Sequence, residues 1–414
     1  MSFKISVNTI QLVSACIIVL WFNASCFAFI GDHILAIIKF GIVALWFVCA
    51  MIQKKTFLIS YIKLCFPLLI FVFLIILSSF FGIYQYFYSY FMTYFYIIVI
   101  CALFVFYFQF GSLKDCKTII VVFLIDFCIK TIRTYILLLT NPIIVRALST
   151  SSNLKNSLLD GAKYVGIGNY SWCYQLTFIS LLVFAYFDTH KGTVSSIIKW
   201  LIIGFIAAVL FSAQIAMALL MLVIFVFLYL GFANSLNKYR VVSMIICIIL
   251  IILFYFNAKE ILSKIISLAD THLAERFENL LYALTNNDTS EGDIGVRMKL
   301  YKISLDYFIQ SPIWGSFGNR TFGFHSTFLD LLGAYGILGF LGIFGLLSPI
   351  NNNYIRKTLL MYKFPLLILL ISFIFFSVTN VSIWCDTYLV VCLIIPLGLK
   401  ALTLSVNEAS LGDF

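Results

Sequence analysis

The chain has 414 residues, 63% of them hydrophobic and only 11% charged, with a mean hydropathy of +1.08. No soluble domain of this length could hide so much apolar surface, so the surrounding solvent must be largely lipid. The net charge of +10 would suggest a nucleic-acid partner in a soluble protein; in a membrane protein it is read first as orientation, and no nucleic acid is expected.

Backbone groups in lipid must pair within each segment or in a closed barrel. Long unbroken runs such as Val241 to Phe256 lack the alternation of barrel strands. The reading is an all-α polytopic membrane protein, with residues 1–414 forming one transmembrane domain. At roughly 20 apolar residues per span about twelve spans are expected. The first, Ile10 to Ile30, follows Lys4 and loosely resembles a signal peptide, but it is long for one and more spans follow. The next seven run near Ile34 to Met51, Leu64 to Phe81, Phe91 to Phe110, Ile119 to Leu139, Tyr170 to Phe187, Trp200 to Phe211 and Ile215 to Leu230. The last four are Val241 to Phe256, Phe328 to Leu347, Phe364 to Val378 and Ile383 to Leu399. Only Ser212, Ala213 and Gln214 separate the seventh from the eighth.

Cations mark alternate connections: Lys54 and Lys55, Lys114 and Lys117, Lys191 and Lys199, Lys238 and Arg240, Arg356 and Lys357, and finally Lys400. The positive-inside rule makes that side cytoplasmic and puts both termini there. On the opposite side two connections are long, 140–169 and 257–326, and function concentrates in such segments. The second holds mixed-charge helical sequence from Ala258 to Leu284, a polar turn from Asn286 to Gly295, and an amphipathic helix from Val296 to Gln310. Val296, Leu300, Ile303 and Tyr307 would share one face of that helix. After Pro312 come Gly315, Gly318 and Gly323, delivering the chain to His325.

Several residues could carry chemistry. His325 stands at the outer start of a span, where the positive helix end favours a neutral imidazole able to accept a proton; the plainer reading is an interfacial cap. Asp330 follows in the same helix and is costly in lipid unless paired or wet. Arg297 opens the amphipathic helix and suits phosphate oxygens, as does Arg276, although Glu275 and Glu278 offer Arg276 salt bridges instead. Arg146 lies in the first long loop, followed by Ser149, Thr150, Ser151 and Ser152. Asp126, Lys130 and Arg133 share a face of the fifth span, as a buried pair joining helices or as a cationic wall for an anionic substrate. Cysteines such as Cys49, Cys101, Cys128, Cys247 and Cys392 sit in apolar runs without motif spacing, so neither a disulfide framework nor a metal site is implied. A nucleotide-binding glycine loop is absent too, and no cofactor is expected.

The segment from Arg297 to Gly339 resembles the shared signature of the O-antigen polymerase (Wzy-type) and O-antigen ligase superfamily of bacterial polysaccharide enzymes. The resemblance rests on the arginine and its helix, Ser311, Pro312 and Ile313 with Gly315 and Gly318, His325 with Ser326, Phe328 and Leu329, then Tyr335, Gly336, Ile337 and Gly339. Arg146, Leu148, Ser149 and Thr150, with Gly166, Gly168, Asn169 and Tyr170, are similar to the family's first outer loop. Many relatives carry a Ser-Arg pair where this chain has Ser212, Ala213 and Gln214, which would pass that arginine's role to Arg133 or Arg146.

What the resemblance implies is a GT-C-like glycosyltransferase bundle in the bacterial inner membrane. Its donor would be an undecaprenyl-diphosphate-linked oligosaccharide, passed to a sugar hydroxyl on the outer face with inversion and without metal. His325 would orient or remove the acceptor proton. Arg297, with Arg146, Arg276 or Arg133, would stabilise the departing diphosphate, and Asp126, Lys130 and Asp330 would support them. The leading expectation is a polymerase of repeat units for O-antigen or capsule, with a chain-length regulator as a further partner. The ligase that hands the glycan to lipid A core is the alternative, and a non-enzymatic flippase or exporter of lipid-linked glycans is the third reading.

Overall fold

A computed structural model describes residues 6–23, 32–81, 87–142, 144–145, 166–190, 192–232, 292–317 and 325–412, with isolated positions between 260 and 281. All regular structure among them is helical. In chain order the helices are α1 (Val7–Asn23), α2 (Asp32–Gln53), α3 (Phe57–Phe81), α4 (Phe87–Gln109), α5 (Leu113–Thr140), α6 (Tyr170–Thr189), α7 (Thr193–Ser212) and α8 (Ala216–Phe232). Then follow α9 (Gly292–Gln310), α10 (Thr327–Tyr335), α11 (Gly339–Leu347), α12 (Asn353–Thr358), α13 (Lys363–Thr379), α14 (Cys385–Leu389) and α15 (Ile395–Gly412).

Among the described residues seven stretches are long and apolar enough to cross a membrane: Phe57–Ser78, Phe91–Gln109, Tyr170–Thr189, Thr193–Ser212, Thr327–Leu347, Leu360–Thr379 and Cys385–Ser405. Shorter apolar helices cover Val7–Asn23, Ile37–Gln53 and Ala216–Leu230. The 28-residue α5 has the length to span but carries Asp126, Lys130 and Arg133 midway. By length and composition the protein is a multi-pass membrane protein. The expected span at Val241 to Phe256 lies outside the described residues, as do most of the first long loop and the start of the second.

Two expected spans are interrupted. A 3-10 turn at Gly336–Leu338 divides the tenth into α10 and α11, and a π-helical turn at Val390–Ile394 joins α14 to α15. The α14–α15 unit is the most enclosed, packing against α4, α5 and α6. Around it α1 lies on α2 and α5, α3 on α4 and α11, α6 on α7, α8 and α13, and α9 on α10. The brief seventh-to-eighth connection is a true turn: α7 stops at Ser212, the buried Gln214 takes a left-handed φ of 55°, and α8 starts at Ala216.

The two ends of the bundle differ in chemistry. At one, Ser112 and Asp115 form a reciprocal cap that starts α5, Ser112 Oγ accepting from Asp115 N and Asp115 Oδ2 from Ser112 N. Beside it Lys400 Nζ donates to Tyr107 O at 3.0 Å and Gly111 O at 2.8 Å, placing a cation on the negative end of α4. Lys199 pairs with Asp188 at 2.9 Å, and Tyr229 donates to the same carboxylate, fastening α6, α7 and α8. Lys54 points over the Phe110 ring at this end as well. The opposite end gathers Asn23, Gln175, Asn380 and Asp386 and is roofed by α9.

Candidate functional site

The opposite end is assembled from the entries of α6, α10 and α14, the exit of α13, and the inward face of α9. Asn169 caps α6, its Oδ1 accepting from Trp172 N at 3.2 Å. Gly168 precedes it because a Cβ there would stand 2.3 Å from the Trp172 ring, and Gly168 N donates to Thr134 Oγ1 of α5. These contacts present Tyr170 and Tyr174 on one face of α6. Beyond α13 the chain runs extended, and Thr327 N donates to Asn380 O while Ser382 N donates to Thr327 Oγ1. Ser326 caps α10 by accepting from Leu329 N at 3.1 Å. His325 is therefore the residue just outside the cap, half-buried, and the capping role belongs to Ser326.

The α9 helix starts at Gly292, ahead of the expected Val296, and of the expected apolar face Leu300, Ile303 and Tyr307 are half-buried, Ile303 and Tyr307 packing against the core, while Val296 is exposed. Beside them Ser304 is buried and Arg297 and Tyr301 are half-buried. These inward polar groups each have a partner. Ser304 Oγ donates to Asp330 Oδ1 at 2.9 Å. Tyr301 Oη donates to Thr379 O at 3.2 Å and reaches His325 O at 3.5 Å. Arg297 Nη1 lies 3.4 Å from Thr379 O.

Arg297 stands among Tyr170, Tyr174 and Tyr301. Burial alone would lower its pKa, but the phenolic oxygens outweigh that and hold it above its ordinary value, so the guanidinium stays charged. Tyr301 is pushed up by burial, against the opposing pull of Arg297. Tyr174 also accepts from Asn380 Nδ2 at 2.8 Å. Its ring stacks on Trp384 at 6.0 Å and an interplanar angle of 29°, and Tyr170 meets Trp384 edge-on at 6.0 Å. A fixed cation, phenolic hydroxyls and an aromatic wall thus converge. Such a set can hold an anionic oxygen cluster through charge-assisted bonds while apolar ring faces lie against the wall.

A second group of polar residues runs inward from this rim. Ser171 Oγ donates to the Asp386 carboxylate, and Gln175 Nε2 donates to Asp386 O at 2.9 Å and reaches Asn23 Oδ1 at 3.4 Å. Asn23 in turn donates to Asp126 Oδ2 at 2.6 Å, and Lys130 Nζ donates to Asn23 O at 2.9 Å. Asp126 and Lys130 are 2% and 4% exposed, and both hold the end of α1 through Asn23, one at its amide and the other at its carbonyl. Arg133 is half-buried and makes no hydrogen bond or ion pair to Asn23 or its partners. Arg146 and Arg276 lie outside the described residues.

The structure therefore brings together Arg297, His325 and Asp330 from the expected set, and separately Asp126 with Lys130. Sequence reasoning passed over Asn23, Gln175 and Asp386, although a lone amide or carboxylate inside an apolar run is itself a signal. It also passed over Tyr174, Tyr301 and Trp384, which no spacing distinguishes from the chain's many other aromatics. Among the described residues no group of three or more His, Cys, Asp or Glu side chains could hold a metal ion. No protein-family model and no curated protein matches the chain.

Two glycines of the signature stretch have a structural explanation. Gly315 and Gly336 take φ of +60° and +59°, and each would drive a Cβ to 2.5 Å of backbone across the contact, at Gly333 O and Pro312 O respectively. Ile337 N donates to Pro312 O and Ser316 N to Gly333 O, so the turn after α9 interlocks with the break between α10 and α11. This interlock and the Ser304–Asp330 bond hold the Arg297 helix over His325.

Proposed function

We propose that the protein is a membrane glycosyltransferase that polymerises lipid-linked oligosaccharide repeat units, using a polyprenyl-diphosphate donor and a sugar hydroxyl as acceptor. The observation that carries this reading is the placement of Arg297 between Tyr170, Tyr174 and Tyr301, with the Tyr301 hydroxyl 3.5 Å from the backbone carbonyl of His325, at the end of the bundle opposite the lysine-rich one. In the proposed reaction the acceptor oxygen bonds to the anomeric carbon of the donor while the bond from that carbon to the diphosphate breaks. The acceptor proton passes to the His325 imidazole and the bonding electrons leave with the diphosphate. Arg297 offsets the charge that develops there, with hydroxyl donation from Tyr170. The Tyr170, Tyr174 and Trp384 rings supply a face for the sugar. A diphosphate is a good leaving group, so the reading calls for no ATP.

Engagement of Lys130 and Asp126 by Asn23 favours transfer over a flippase, whose cations would have to line a path through the bundle. The polymerase and the ligase share this donor chemistry, and the polymerase is the reading adopted. The test supplies purified full-length protein in nanodiscs with a lipid-linked repeat unit and resolves products by length. Wild type should extend chains. His325→Ala should abolish extension, and Arg297→Lys should lower it about 100-fold or more, because a point charge does not replace the planar fork. Full activity of Arg297→Lys would remove the basis for diphosphate recognition, and transfer only to lipid A core would turn the assignment to the ligase.

A further inference from the structure

At the lysine-rich end a groove opens between α5, α6 and α15, with a volume of about 570 Å³. Its wall is apolar, including Ile120, Leu124, Ile179, Leu182 and Leu402, while Lys117 and His190 stand on its lining. A second hollow of about 540 Å³ adjoins it along α5, shares Lys117 and Val121, and adds Lys114. Volumes of this order match small-molecule sites, which run roughly 300–1,000 Å³. The nearest carboxylate on α5, Asp115, is engaged by Ser112 N and Oγ. His190 Nδ1 lies 3.0 Å from Tyr186 O and from Thr189 Oγ1, which fixes the ring at the exit of α6.

We infer that this groove is a binding site for one anionic glycerophospholipid, with an acyl chain lying along α5, α6 and α15 and the phosphate against Lys117 and Lys114. Charge and depth both point to that occupant. The apolar wall belongs to α6 and to Cys385–Ser405, both long and apolar enough to cross a membrane, which sets it against acyl chains, and the basic groups cluster at the ends of these helices, at headgroup level. Basic hollows between transmembrane helices at a membrane surface select anionic headgroups. A zwitterionic lipid would satisfy the wall and offer its phosphate, but its headgroup cation would be repelled by the same lysines, so net negative charge is what they select. The site stands at the opposite end from Arg297 and does not depend on the glycosyltransferase reading.

The experiment purifies the full chain from nanodiscs holding equal amounts of phosphatidylglycerol and phosphatidylcholine and identifies retained lipid by native mass spectrometry. Wild type should keep one phosphatidylglycerol in preference to phosphatidylcholine. The double variant Lys114→Gln with Lys117→Gln should bind it roughly 30-fold more weakly, given the attraction each surface lysine contributes. Val121→Trp, at a lipid-exposed position common to both hollows, should block the site while leaving the lysines in place. Lys357→Gln, at an exposed lysine away from the groove, should retain the lipid. Equal retention of both lipids by wild type, or unchanged phosphatidylglycerol retention in the double variant and in Val121→Trp, would overturn the assignment.

Discussion

Lys130→Met tests the buried pair that ties α5 to α1. In the native protein Lys130 Nζ donates to Asn23 O at 2.9 Å, Asn23 Nδ2 donates to Asp126 Oδ2 at 2.6 Å, and both ionic side chains are almost fully enclosed. Methionine fills much of the same space but leaves the Asp126 carboxylate without its neighbouring cation. Stranding one partner of a buried pair costs about 3–5 kcal/mol. The surviving Asn23 amide bond and the alternative partners open to helices still in a membrane set the expectation at the lower end. A loss of about 3 kcal/mol corresponds to roughly a hundredfold in the folded-to-unfolded ratio. Asp126→Asn combined with Lys130→Met removes both charges while keeping an amide opposite Asn23, and should recover most of the loss. The assay is unfolding by sodium dodecyl sulfate in mixed micelles, followed by circular dichroism. If the double variant is as unstable as Lys130→Met alone, or if Lys130→Met matches wild type, the two charges do not compensate each other.

Gly336→Ala should cost about 2–3 kcal/mol, from the left-handed backbone and from displacement of the Ile337 N to Pro312 O bond; an unchanged melting temperature would remove the interlock. Asp330→Leu should cost about 1–3 kcal/mol by orphaning the buried Ser304 hydroxyl, whereas Asp330→Asn keeps an acceptor and should stay within about 1 kcal/mol of wild type. Equal melting of the two variants would show that the Ser304 bond contributes nothing. Lys400→Met leaves Gly111 O without its donor, while Tyr107 O keeps the bond from Gly111 N, and should lower stability by about 1–2 kcal/mol in the same micelle assay; no change would mean solvent replaces the ammonium freely.

The membrane class and most helix positions were legible because the cost of exposing backbone to lipid forces long apolar runs into helices, and those runs are visible one residue at a time. The alternating lysines were equally plain, and their contacts at the ends of α4, α6 and α7 give them local work. The inward face of α9 was legible only in its apolar half, Leu300, Ile303 and Tyr307, because periodicity ranks positions by apolarity. Arg297, Tyr301 and Ser304 face inward at the expense of that rule, compensated by Thr379, the tyrosines and Asp330. Asp126 and Lys130 could be placed on one face from their spacing, but their common partner Asn23 lies more than 100 residues away.

By itself the sequence determined that the chain is a helical multi-pass membrane protein and that charge is unevenly shared between its connections. These follow from local hydrophobicity and need no knowledge of neighbours. Only the tertiary structure decided which polar residues meet. The rim of Tyr170, Tyr174, Trp384 and Arg297 comes from two helices and one extended link. The turn after α9 fits the α10–α11 break only because two left-handed glycines face each other. Hydrogen bonds and ion pairs act over a few ångströms, so the partners of a buried polar group are set by helix packing and cannot be read from spacing along the chain.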